Sequence, residues 1–158
     1  CRARLAPSGV LQQWLQLHHI RPRELGVIIR TLLTRFPHAA LFVGGEQGIL
    51  VASGRPLVAS ERRLAELDQD PRIRATLGGR SLPSLLGDLV VSDDDLRALV
   101  DHLADVDGGP LVSTDDNLLL EIETPKGNVL DHQRSLEASL ALLRQFATKD
   151  VARRHLGP

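Results

Sequence analysis

Apolar residues recur in two rhythms along this chain. Between residues 10 and 17 they alternate: Leu11, Gln13, Leu15 and Leu17 fall on one face, Val10, Gln12, Trp14 and Gln16 on the other. That period of two, entered from the turn Pro7-Ser8-Gly9, predicts a strand. From 21 to 36 the rhythm changes. Leu25, Ile28, Ile29, Leu32, Leu33 and Phe36 lie at helical spacing, with Pro22 in the first turn and Pro37 as the stop, which predicts a helix with one continuous apolar stripe. "HAALFVGGEQGILVAS" (38–53) then reads as a hairpin whose glycines supply the turn.

Helical signals dominate the middle. Segments 60–70 and 71–79 read as short helices, the first capped by Ser60 and the second stopped by glycine. Segment 92–106 has Ser92 as its predicted cap, acids in its first turn, and a stripe of Leu96, Leu99, Val100 and Leu103. "NLLLEIET" alternates again and predicts a strand over 118–124. Leu118, Leu120 and Ile122 oppose Leu119, Glu121 and Glu123; Pro125 ends it and Gly127-Asn128 turns. Residues 135–147 predict a last helix on Leu136, Leu140, Leu143 and Phe146, followed by ten polar residues expected to fray. Strand, helix and hairpin in that order predict an α/β sheet with an antiparallel edge. "CRARL" reads as the basic last turn of a helix, and the chain has no methionine. Both features suggest a C-terminal piece of a longer chain.

Composition narrows the picture. With 158 residues, 42% hydrophobic and 25% charged, the chain has enough apolar surface for a core. A net charge of −1 gives no global reason to expect nucleic acid or an anionic membrane as partner. The single cysteine excludes an internal disulfide and a four-cysteine zinc site. No apolar run approaches the roughly 18 residues of a membrane span, so no membrane contact is expected from this segment.

Candidate chemistry is sparse. His18 and His19 are adjacent and would point to opposite faces within a strand; His38, His102, His132 and His155 are scattered, with no HExxH pattern. No metal site is predicted. Cys1 has no local activating group. "GGEQG" lacks a phosphate-loop pattern and no helix follows it. Asp93, Asp94 and Asp95 are first-turn helix acids without the alternation a calcium loop needs. Gln13 stands on the leucine-lined face of the first strand. It is either a structural hydrogen-bonding residue or part of a ligand cleft at the strand's carboxyl end. Asp115 and Asp116 follow the possible caps Ser113 and Thr114. They are either turn residues that launch a strand or a carboxylate pair facing a cationic ligand.

The ordered set of motifs adds a resemblance. "CRARLAPSGVLQQWLQLHHI", then "RTLLTRFPHAALF" and "GILVAS", resembles the second half of the spermidine synthase-like (polyamine aminopropyltransferase) domain. The match is to the bacterial branch often fused to membrane helices, and "STDDNLLLEIETPKGN" resembles that branch's later "TDD" segment. Ser8 stands where the family commonly has glycine, and Lys126 where it has arginine. The likeness covers roughly residues 1–130. It implies the C-terminal part of a methyltransferase-like Rossmann fold over 1–58, to which the residue pattern adds a small helical lobe over 59–107, a returning turn and strand over 108–130, and a C-terminal helix and tail over 131–158. It also implies aminopropyl transfer from decarboxylated S-adenosylmethionine to a polyamine, in a cytoplasmic domain that upstream helices can tether to the inner membrane. The family's cofactor loop and catalytic aspartate lie upstream of this segment, so no catalytic, cofactor-binding or metal residue is expected here. Gln13, Trp14, Asp115 and Asp116 are the substrate-cleft candidates. Self-association stays open, as do two rival functions: a non-enzymatic interaction or regulatory module, and a small-molecule methyltransferase on the same fold.

Overall fold

The alternating segment forms strand β1 (Val10–Gln16) and the striped segment helix α1 (Pro22–Leu33) in the computed structural model, which describes residues 4–107 and 112–158. Cys1 therefore lies outside the described residues. At the start of α1 the Arg21 amide donates to Glu24 Oε2 at 2.6 Å, and Glu24 is 2% exposed. The carboxylate thus satisfies a helix-end donor from inside the fold. The hairpin follows as β2 (His38–Gly44) and β3 (Gln47–Ser53), with Gly45 at φ 61° in its turn. Beyond it come β4 (Ala59–Ser60), α2 (Glu61–Asp68), α3 (Pro71–Thr76), a 3-10 turn at 83–88, β5 (Leu89–Ser92) and α4 (Asp93–Asp107). The chain closes with α5 (Leu119–Gly127), α6 (His132–Phe146), a second 3-10 turn at 151–155 and β6 (Leu156–Gly157).

The main sheet is four-stranded, in the order β1-β3-β2-β5. The fold is α/β, but the expectation of antiparallel pairing only at the edge is corrected. Because β3 turns back between β1 and β2, and β5 also runs against β2, every neighbouring pair is antiparallel. Helices α1, α4 and α6 cover one face. There Leu15, Leu17, Leu41, Leu50 and Val91 of the sheet and its exit pack in one cluster with Leu25, Ile29, Leu99 and Leu143 of the helices, all 3% exposed or less. A Cβ on Gly26 would stand 2.6 Å from Leu103 Cδ1, so α1 and α4 touch closely there. On the opposite face Ala40, Leu89 and Val151 form a small buried cluster, with Phe42 and Leu57 packed against it. Toward β1 that face is bare: Val10, Trp14 and Ile49 are 50%, 51% and 38% exposed.

Four expectations change. Segment 59–107 is not one separate lobe, because β5 joins the main sheet and α4 contributes Leu96, Leu99, Val100 and Leu103 to the main core. Ser92 does not cap α4; its Oγ is buried without a hydrogen-bond partner among the described residues. Asp93, at φ 42°, instead accepts from the Ala39 amide and ties α4 to β2. The strand expected over 118–124 is helix α5. The tail does not fray either. Val151 and His155 are buried, His155 Nδ1 lies 2.7 Å from the Leu57 carbonyl, and β6 pairs in parallel with β4.

No helix of the described residues is long and apolar enough to cross a membrane.

Candidate functional site

A cleft of about 1220 Å³ runs along β1, which is an edge strand of the sheet among the described residues. Its floor is apolar, from Leu11 and Leu15 of β1 and Ile28 and Leu32 of α1, and Leu120 of α5 reaches its rim. Gln13 and Trp14 both line it, since at an edge strand both faces border the opening. Gln13 is exposed and its Nε2 donates locally, to the Trp14 carbonyl at 3.0 Å. Trp14 Nε1 donates to Gln47 Oε1 at 3.1 Å across the β1–β3 pair. Both side chains therefore border the cleft while held by their own strand region.

One end of the cleft carries His18 and His19. The strand is finished at Gln16 and His19 adopts φ 53°, so the pair lies beyond the strand within which it would point to opposite faces. The left-handed residue bends the chain and sets the two rings edge to face at 5.0 Å. His132, the first residue of α6, stacks on His18 with ring centroids 4.3 Å apart. Its Nε2 lies 3.0 Å from Glu46 Oε1, and this hydrogen bond, before any other influence, holds the Glu46 carboxyl below its ordinary range. Gly127 fixes the bend from behind. A Cβ there would fall 1.9 Å from the His19 carbonyl oxygen, so only glycine lets the end of α5 lie against this peptide.

Asp115 and Asp116 stay outside the cleft. They are exposed in the turn before α5 and make no hydrogen bond or ion pair among the described residues. The turn is held by other side chains: Thr114 and Asn117 bond reciprocally, Asn117 Oδ1 also accepts from the Leu119 amide, and Ser113 Oγ accepts from the Leu120 amide. The Ser113 amide in turn donates to Thr31 Oγ1 of α1. Replacing both Asp115 and Asp116 by Asn is therefore expected to change stability by less than about 0.5 kcal/mol. Urea unfolding checks this, and a loss above about 1 kcal/mol would assign the acids a structural role they lack here.

The sequence signal for Gln13 was local alternation, and that for Trp14 was the family resemblance. The histidine group gave none, because His132 is brought to His18 and His19 by the packing of α6 and not by any spacing. No family model, curated protein or solved structure matches the chain.

Proposed function

We propose that residues 1–158 are the C-terminal part of a spermidine synthase-like aminopropyltransferase with a methyltransferase-like Rossmann fold, inert without its upstream half. One observation carries this reading: among the described residues, the strand–helix–hairpin unit expected from the resemblance leaves β1 as an unpaired edge beside an apolar cleft. An upstream half-sheet would pair with that edge and cover Val10, Trp14 and Ile49. In the joined site Gln13 and Trp14 would form one wall. An amine attacking the carbon next to a sulfonium needs a base and acids that hold cations, and both come from the upstream half in this reading. The test is calorimetry with methylthioadenosine on residues 1–158 and on the full-length protein. Binding is expected only for the full-length protein, and no binding there would end the aminopropyl reading.

A second reading has its own support. No carboxylate lines the cleft among the described residues, which suits an interaction or regulatory module that takes a partner's strand on β1. Turnover of decarboxylated S-adenosylmethionine and putrescine by the full-length protein would exclude it.

A further inference from the structure

The aminopropyl reading makes no use of the three imidazoles at the end of the cleft. His18, His19 and His132 each offer one ring nitrogen, and these three atoms all lie within 4.8 Å of one another. Tetrahedral zinc with bonds of about 2.0–2.1 Å to nitrogen wants its ligands about 3.3 Å apart, so the group needs to close by about 1.5 Å at most. His132 has the freedom to do so, because its side chain is 43% exposed at the start of α6.

The hydrogen bonds around the rings select the nitrogens. His19 Nδ1 is 2.9 Å from the Leu130 carbonyl, which only accepts, so Nδ1 carries the proton and Nε2 presents its lone pair. His132 Nε2 donates to the Glu46 carboxylate, which leaves Nδ1 as its lone-pair nitrogen. A carbonyl or carboxylate behind the imidazole is the usual support of a metal-bound histidine, fixing the tautomer and raising the ring's basicity. Gln16 Nε2 lies 3.1 Å from His18 Nδ1, and turning that amide over, so that its oxygen accepts from Nδ1–H, gives His18 the same support and leaves its Nε2 free. The frame is firm as well: the His19 amide donates to Ser135 Oγ at 2.8 Å, and Gly127 packs against the His19 peptide.

We infer that His18, His19 and His132 form a three-histidine site for a divalent transition-metal ion, zinc foremost, with Glu46 and Leu130 as its supporting shell. The imidazole set suits zinc or cobalt(II) and discriminates against magnesium and calcium, which prefer oxygen. Since His18 and His19 also line the cleft, a fourth ligand, water or a donor group of a cleft-bound molecule, reaches the ion from that side. This inference does not rest on the aminopropyl reading.

The test is titration of chelator-treated protein with zinc chloride by calorimetry, and with cobalt(II) chloride by visible absorption. Circular dichroism confirms the fold of each variant. One ion per chain is expected, with the intense absorption of four-coordinate cobalt. His132→Ala and His19→Asn should each weaken zinc binding at least about 100-fold, and Glu46→Gln about 10- to 100-fold. Asn is chosen at 19 because it tolerates the left-handed backbone. His102→Ala, on α4 against Phe146, should leave affinity unchanged. If His19→Asn fails to fold, the exposed His132→Ala decides alone. Absence of saturable binding, or binding that survives His132→Ala (for example at Cys1), overturns the inference.

Discussion

Gly127→Ala is expected to destabilise the protein by about 3 kcal/mol, the upper part of the range for forcing one extra carbon into a packed site. The added Cβ would sit 1.9 Å from the His19 carbonyl oxygen and 2.9 Å from its carbonyl carbon, and both are backbone. A flexible side chain could swing away; a peptide group held by other contacts cannot. Here His19 is held at φ 53° by its amide bond to Ser135 and its ring bond to Leu130. Helix α5 is held at its middle, where Arg21 lies 3.8 Å from Glu123, and at its start, where Ser113 accepts from the Leu120 amide. Gly54→Ala is the control, since a Cβ there meets nothing within 4 Å. Equal urea midpoints for the two variants would refute the claim that α5 and the histidine bend share a close backbone contact.

The second large effect is expected at the C-terminal tail. Asp95 on α4 is 9% exposed, and Arg154 Nη2 and Thr148 Oγ1 both donate to its Oδ2. Arg154→Ala leaves a nearly buried carboxylate with one neutral donor. Breaking a fully buried pair costs about 3–5 kcal/mol, and because Arg154 is 44% exposed, about 2 kcal/mol is expected here. Adding Asp95→Asn to Arg154→Ala should recover part of the loss, because the stranded charge is gone. A double-mutant cycle measures the coupling. Additive losses would mean that the tail is not anchored through this pair.

Where order was written locally, the chain was legible. The alternation over 10–17, the stripe over 21–36 and the glycine-flanked hairpin all appear as elements, and Leu96, Leu99, Val100 and Leu103 are buried as a stripe should be. Segment 118–124 misled because an apolar–acid alternation fits a strand. In the fold Leu118 and Ile122 remain exposed, and the capping contacts of Ser113 and Asn117 favour a helix that satisfies its own backbone. The tail looked polar because its fixed points, Val151, Arg154 and His155, are single residues whose partners, Asp95 and Leu57 among them, are far away in sequence. Of the cleft, Gln13 was readable from alternation and Trp14 from the family resemblance. The histidine group was not, since it joins segments 113 residues apart in numbering, His19 and His132.

The position of Trp14 gives the molecule an intrinsic optical reporter. It is the chain's single tryptophan, and its indole is already half in water in the folded state. Its emission colour should therefore shift little when the core melts, since the core lies on the other face of the sheet. A strand laid along β1 would dry the indole and move its fluorescence to the blue, whether the strand comes from an upstream half-sheet or from a separate protein. Docking at this edge would thus be visible without a label, in a signal that is nearly blind to unfolding.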